Sequence, residues 1–330
     1  MTSIRETVTK KRMMLFSGTA HPQLAQEIAA RLGVELCESK ISRFPSGEIY
    51  FRSDESVRGS DVFVIQTHAD PVNEGIMEHL IMIDALKRAS AKRITAVVPY
   101  YGYSRQDKKA LAREPISAKL IADCLTVAGA DRVVSVDLHS GQIQGFFDFP
   151  FDHLTAMPLL SDYLTTDIGL ANDDVTVVSP DAGRVKVAER LADHLHAELA
   201  IIEKRRSRYE PHKIETTAVV GRVRGRRCVL VDDIIDTAGT MVEGARALQA
   251  EGAADVYMAA THAVLSGKAV QKLEEAPISQ VVVTNTLPIA EEKRIDKLTV
   301  LSIAPIVASA LKAVFEDESV SEIFHGENQP

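Results

Sequence analysis

Three features of the sequence predict an α/β fold built on mainly parallel sheets. Strand-like apolar runs alternate with helical patterns along most of the chain, the signature of βαβ units. The segment Cys228-Val-Leu-Val-Asp232-Asp233-Ile-Ile-Asp236-Thr237-Ala238-Gly239-Thr240 joins an apolar, partly β-branched run to two carboxylates and a small, hydroxylated turn, and a helical pattern follows. That is a buried strand of a parallel sheet with acids at its carboxyl end. The chain also echoes itself: Ala128-Gly-Ala-Asp-Arg-Val-Val passes from helix to strand and reaches His139, Ser140 and Gly141, while Gly252-Ala-Ala-Asp-Val-Tyr does the same and reaches His262, then Ser266-Gly267. The echo predicts two similar α/β domains in tandem, over residues 13–153 and 154–303, after a tail at 1–12.

Taken in order, residues 13–17 form a strand and 22–32 a helix closed by Gly33. Residues 61–67 are strand-like, 72–89 helical and 93–100 strand-like again. A helix over 116–128 leads to strands at 132–138 and 175–178; a helix over 185–196 precedes a strand at 199–203. The strand from Cys228 and a helix over 241–250 continue the alternation.

With 330 residues the chain holds two domains and ample core. A formal charge of −8 leaves no basic surplus for a nucleic-acid partner. The three cysteines, Cys37, Cys124 and Cys228, are scattered in mostly apolar contexts, as reduced core residues are, and predict no disulfide framework. Residues 1–12 lack an apolar stretch, and no run approaches the roughly 20 apolar residues of a membrane span. A soluble, cytoplasmic protein is expected.

In an open α/β sheet, ligands lie beyond the carboxyl ends of the strands, where a helix N-terminus offers backbone N–H groups to an anion. A phosphate is therefore expected on Asp236–Thr240, with Asp232 and Asp233 placed for sugar hydroxyls or a metal. Arg43-Phe44-Pro-Ser46-Gly47-Glu48 is a turn between two extended segments; Phe44 offers a flat face and Glu48 an acceptor, which suits a purine, although alone it is only a hairpin turn. After Pro99 a long loop carries Arg105, Lys108, Lys109 and Arg113, with Lys119 just beyond, cations suited to closing over a polyphosphate. Asp137-Leu-His139 and Ser179-Pro-Asp181 each end a strand, and a sparse His139–Asp181 pair matches the few protein ligands Mg²⁺ takes. Glu203-Lys204-Arg205-Arg206 ends another strand in cations that can answer charge on a transferring phosphoryl group, and residues 205–213 form a second basic loop.

The segment from Cys228 to Thr240 resembles the phosphoribosyl-diphosphate-binding signature shared by type I phosphoribosyltransferases and ribose-phosphate diphosphokinases, and alone does not separate them. Together with the Arg105-Gln106-Asp107 loop, Asp-Leu-His139 followed by Gln142-Ile-Gln-Gly-Phe-Phe147, Ser-Pro-Asp181 and Glu-Lys204-Arg-Arg206, it resembles class I ribose-phosphate diphosphokinases from Met13 to Phe324. The resemblance implies two phosphoribosyltransferase-like domains, the first completed by residues 304–325, a homo-oligomer of hexamer type, and ATP as substrate with two Mg²⁺ per site. It implies that Phe44, Ser46, Gly47 and Glu48 hold the adenine from a neighbouring subunit and that Arg105, Gln106 and Asp107 hold the rest of ATP. His139 and Asp181 would serve one Mg²⁺, and Asp232 and Asp233 a second. Lys204 would be the catalytic cation with Arg206 beside it; Arg206, Asp232, Asp233 and Asp236, Thr237, Ala238, Gly239 and Thr240 would bind ribose 5-phosphate. Ser56, Arg58, Ala89, Ser90, Ser319 and Ser321 would receive phosphate or ADP as effectors. Ala89 and Ser90 would act through backbone N–H groups, and Ile323-Phe324 would dock the tail onto a partner. Two departures stand out: Ser46 replaces the usual Asp or Asn, and Arg184 replaces the second glycine of Ser-Pro-Asp-x-Gly-Gly. A type I phosphoribosyltransferase or a non-catalytic homologue of the same fold is the alternative.

Overall fold

The computed structural model describes residues 11–172, 174–206, 214–324 and 326, and for 204–206 and 214–217 it describes the backbone. The chain divides into two compact units: Met1–Ser135 with Ser140–Leu154 and Val307–Pro330, and Val136–His139 with Thr155–Ile306.

In the first unit, β1 (Met13–Ser17) leads to α1 (Pro22–Leu32), which starts on a proline and stops at Gly33 in the left-handed region. The arms β2 (Ser39–Arg43) and β3 (Ile49–Ser53) form a separate antiparallel hairpin. Then come β4 (Asp61–Ile65), α2 (Val72–Arg88), β5 (Arg93–Val98), α3 (Ser117–Ala128), β6 (Arg132–Val136) and β7 (Phe151–Leu154). The sheet order is β1-β4-β5-β6-β7, with β1, β4, β5 and β6 parallel. Every residue of β4 is buried, as expected for a run sheathed on both faces. Its one acid, Asp61, is neutralised by Arg93 across the β4–β5 register, with Nε 2.9 Å from Oδ1.

The second unit begins with α4 (Met157–Thr166), β8 (Val175–Ser179), α5 (Val185–Leu195), β9 (Glu198–Arg206) and β10 (Ile214–Val220). It continues through β11 (Arg227–Ile235), α6 (Gly239–Ala250), β12 (Asp255–Ala263), α7 (Ala269–Glu275), β13 (Gln280–Thr284) and β14 (Leu298–Leu301). Seven strands run in the order β10-β9-β8-β11-β12-β13-β14, all parallel except the edge pair β10–β9. The strand carrying the acid pair is thus the middle one. Leu230 and Met258 on the sheet pack against Met241, Val242, Ala245 and Leu248 of α6. Gly244 lets that helix close on the sheet: a Cβ there would come within 2.9 Å of Ile202 Cδ1. From α8 (Ala304–Glu316) the chain contributes to the first unit, where Asp317 bonds Arg93 at 2.8 Å and Lys11 at 2.5 Å.

The α/β class and the parallel alternation agree with the sequence, with most element ends within two residues of those expected and three differences of consequence. The strand expected at 199–203 runs on to Arg206 and pairs with β10, so Arg205 and Arg206 belong to a strand arm, and the remainder of the expected loop, 207–213, lies outside the described residues. Met241 does not open α6; Gly239 does, two residues earlier. Phe324 is buried within its own chain, whereas Ile323 is half-buried beside the cleft that Ser319 lines. No helix among the described residues is long and apolar enough to cross a membrane.

Candidate active site

The carboxyl end of β11 sets the site of the second unit. Side chains alternate faces along a strand, so Asp232 and Asp233 point opposite ways at Cβ, yet Asp232 Oδ1 turns back to accept from Asp233 N at 2.8 Å. Past β11 the turn is shaped by Ala238, which takes φ of 58° and caps α6. From outside, Ser266 clamps it: its hydroxyl donates to the Asp236 carboxylate, and its N–H donates to the Asp236 carbonyl at 3.0 Å. Lys272 Nζ on α7 donates to the Thr237 carbonyl at 3.0 Å. The result is a held turn at a helix N-terminus, with a cation at its back, the kind of place that can receive an anion. Sequence reasoning missed Ser266 and Lys272 as parts of this turn; the Ser266-Gly267 echo was the only trace of the first.

His139 joins the acids. Its Nδ1 lies 2.8 Å from Asp233 Oδ2 and 2.5 Å from Arg184 Nη2. One imidazole nitrogen either donates to the carboxylate or accepts from the guanidinium, so the three groups share one proton arrangement at a time. Arg184 also reaches Asp233 Oδ1 at 2.9 Å, Asp232 Oδ1 at 3.2 Å and the His139 carbonyl at 3.2 Å. Burial pushes both carboxyls up. Asp233 is nonetheless held well below the ordinary range by hydrogen bonds from His139 and Asp232 and by the Arg184 charge, whereas Asp232 rises further because of Asp233 beside it.

Two polar anchors hold the turn that presents His139. Asp137, at φ of 36°, accepts from Ala156 N at 2.9 Å and Thr261 Oγ1 at 2.6 Å. Fully buried His262 has its Nε2 3.1 Å from the Val136 carbonyl and 3.0 Å from that of Asp137, so this nitrogen carries the proton, and Nδ1 accepts from Thr286 at 2.9 Å. Burial keeps the ring neutral. The two histidines of the sequence echo therefore have different surroundings: His139 faces the acids and His262 is a structural post.

Asp181 caps the short turn after β8, its Oδ1 accepting from Gly183 N at 2.8 Å. Imidazole and carboxylates are donors that a divalent cation accepts, but as arranged these do not fit one. The guanidinium of Arg184 lies against the carboxylates of Asp232 and Asp233 and against His139 Nδ1, and among the described residues no group of three His, Cys, Asp or Glu is placed to hold a metal. Lys204 and Arg206 sit in β9 opposite Thr217 and Ile214; their side chains lie outside the described residues.

In the first unit the 44–48 turn is closed by Phe44 N donating to the Glu48 carbonyl at 2.9 Å, with Gly47 at φ of 91°. Phe44 is half exposed, edge-on to Tyr50. The Ser46 hydroxyl donates to Glu48 Oε2 at 2.6 Å, which gives this departure a job: it orients the acceptor. In the basic loop Gln106 is tied to the start of α3, its Oε1 accepting from Ser117 Oγ at 2.6 Å, while Arg105 is exposed and Asp107 half-buried.

The expected effector positions are brought together in part. Gly59 N donates to the Ser90 carbonyl at 3.0 Å, which ties the Ser56–Arg58 segment to the end of α2. The backbone N–H groups of Ala89 and Ser90 are not available to an anion, because they donate to Ala85 and Lys87; this is a helix C-terminus, which presents carbonyls. Ser319 and Ser321 face each other at 3.1 Å, and Ser319 lines a cleft of about 680 Å³ with Ser309, Lys312, Glu318 and Glu322.

A parallel sheet whose middle strand delivers an acid pair and a helix-capping anion turn, in a chain of two α/β units, defines a phosphoribosyltransferase-like protein. The comparisons narrow this. The family described as the N-terminal domain of ribose phosphate pyrophosphokinase matches residues 13–129, and the phosphoribosyl synthetase-associated domain matches 203–325. The chain is 56% identical to a ribose-phosphate pyrophosphokinase of Streptomyces coelicolor over 98% of its length and 99% of that protein, and 51% identical to one of Clostridium acetobutylicum over 96% and 98%. The crystal structure of phosphoribosylpyrophosphate synthetase from Mycobacterium smegmatis superposes with a TM-score of 0.87 at 54% identity, covering 93% of this chain and all of that one. The chain belongs to the ribose-phosphate pyrophosphokinase family.

Proposed function

We propose that this chain transfers the diphosphoryl group of ATP to ribose 5-phosphate, giving 5-phospho-α-D-ribose 1-diphosphate and AMP for nucleotide synthesis. The extent of the likeness carries the reading: it spans both halves of the chain, whereas a phosphoribosyltransferase needs neither the purine turn nor the Arg105-Gln106-Asp107 loop. The anomeric oxygen attacks the β-phosphorus, an O–P bond forms, the bridge to the α-phosphate breaks and AMP leaves. Such chemistry rests on positioning and charge neutralisation, and needs no strong base.

Asp236–Thr240 seat the 5-phosphate, and Asp232 and Asp233 accept from the ribose hydroxyls. Lys204 and Arg206 answer the charge growing on the transferred group. Phe44, Ser46, Gly47 and Glu48 hold the adenine of a neighbouring subunit, and Arg105, Gln106 and Asp107 the remainder of ATP. Magnesium enters as the ion of the MgATP substrate. A cytoplasmic homo-oligomer of hexamer type, with phosphate and ADP as effectors, completes the proposal.

The test is direct. Purified protein with MgATP and ribose 5-phosphate should yield AMP and phosphoribosyl diphosphate in equal amounts. Nucleotide made from a free base and phosphoribosyl diphosphate would indicate a phosphoribosyltransferase, and no turnover would indicate the non-catalytic homologue.

A further inference from the structure

Arg184 is a departure visible in the sequence, and the structure shows where it goes. Its side chain is 14% exposed, beside Asp232 at 16% and Asp233 at 7%. A guanidinium is costly to bury and remains only where its donors find partners. Here they find several: both carboxylates, the imidazole and the carbonyl of His139. Nη2 alone lies between Asp233 Oδ1 and His139 Nδ1, at 2.9 and 2.5 Å. Those are the lone pairs that a divalent ion at this cluster would need, and a guanidinium and a metal cannot both take them. Charge points the same way. Arg184 already supplies a positive charge to this buried acid pair, and adding a divalent ion beside it would set like charges against each other in a buried place.

We infer that Arg184 is a resident cation: it neutralises the Asp232–Asp233–His139 group in place of a protein-bound divalent ion. A metal would gain this site only by expelling the guanidinium. One consequence for the reaction follows, and it rests on the diphosphokinase reading above: beyond the magnesium carried by ATP, the site should require no further free ion. Direct metal binding does not depend on that reading.

The experiment titrates Mn²⁺ into the full chain without nucleotide or sugar phosphate, with free Mn²⁺ followed by electron paramagnetic resonance. The variants are R184M, which keeps the aliphatic stem, R184G, and R184K, which keeps a charge. Residue 184 has φ of −109° and ψ of 8°, open to any of these side chains. R184M and R184G should each gain one Mn²⁺ site per chain, at least about tenfold tighter than any in the parent, because two buried acids lose their counter-ion. R184K should resemble the parent, and D233N in the R184M background should abolish the gained site. Ligand linkage supplies a second readout: 5 mM Mg²⁺ should raise the melting temperature of R184M clearly more than that of the parent. At saturating MgATP, turnover of the parent should be flat with added free Mg²⁺, and that of R184M should rise. A parent that binds one Mn²⁺ as tightly as R184M overturns the inference, as does a folded R184M or R184G that gains no site. Absence of turnover in every protein would instead count against the diphosphokinase reading and leave the binding result standing.

Discussion

Replacing Asp137 tests whether the turn bearing His139 is held by one carboxylate oxygen. In the parent, Oδ2 accepts from Ala156 N at 2.9 Å and Thr261 Oγ1 at 2.6 Å, and both donors belong to buried residues. Hydrogen bonds to a charged acceptor contribute about 1.5–3 kcal/mol each; because these two converge on one atom, their joint loss is set near ~3 kcal/mol. The φ of 36° adds about 1 kcal/mol for alanine, which asparagine and glycine largely escape. Asp137→Ala should therefore lose about 4 kcal/mol and Asp137→Gly about 3 kcal/mol. Asp137→Asn keeps one oxygen acceptor without its charge and should lose about half as much as Asp137→Gly, because charged bonds are roughly twice as strong as neutral ones. The assay is urea unfolding at constant m-value, paired with steady-state rates. His139 lies two residues on, and a displacement of about 1 Å at such a group can cost ~100-fold in rate. If Asp137→Ala shifts stability by less than about 0.5 kcal/mol, or Asp137→Asn is as damaging as alanine, the anchoring role is refuted.

Four further outcomes are expected. Lys204→Ala should lower turnover about 100- to 1000-fold with little change in substrate binding, as loss of a preorganised transition-state donor does; turnover within threefold of the parent would remove Lys204 from the mechanism. Asp236→Ala, which removes the carboxylate that the Ser266 hydroxyl clamps, should weaken ribose 5-phosphate far more than ATP in calorimetric titrations, and equal losses would misassign the two substrates. Burial lowers the affinity of His79 for a proton, from 6.5 to about 4, and depresses His68 and His262 also. The unfolded chain then binds more protons below pH 6.5, so stability present at neutral pH should drain away as pH falls towards 4, and His79→Gln should flatten that slope by about one proton. Arg58→Ala should abolish activation by phosphate while the basal rate stays, measured as rate against phosphate at fixed MgATP; an unchanged curve would sink the assignment.

The parts of the site that were legible in the sequence are those whose chemistry is local. An apolar run ending in Asp232-Asp233 and a turn of small residues is a strand, a strand tip and a helix start, and it folds as read. What stayed hidden depends on distance along the chain. Lys272 reaches Thr237 across 35 residues from a helix whose own pattern says only that one face is apolar. Arg184 was visible as an odd residue, but a long flexible cation after a strand can point to solvent or inward, and only the fold brings Asp232, Asp233 and His139 to its tip. Ala89 and Ser90 do not offer N–H groups to an anion because they lie where a helix ends, not where one begins, and their own N–H groups donate to Ala85 and Lys87.

The origin of Asp317 in the last stretch of the chain bears on how the protein is made. Arg93 and Lys11 lie early in the sequence, and the segment that answers them is translated about 220 residues after Arg93. On the ribosome, domains generally complete themselves in order of synthesis, first part first. Here that order is inverted: Val136–His139 with Thr155–Ile306 can close while the earlier half still lacks the residues from Val307 on, and the half begun first is finished last. A stalled or clipped product would therefore expose its fault in the amino-terminal unit, although the missing residues are carboxy-terminal. A circular permutant that moves residues 307–326 ahead of Lys11 would allow that unit to mature as soon as it emerges.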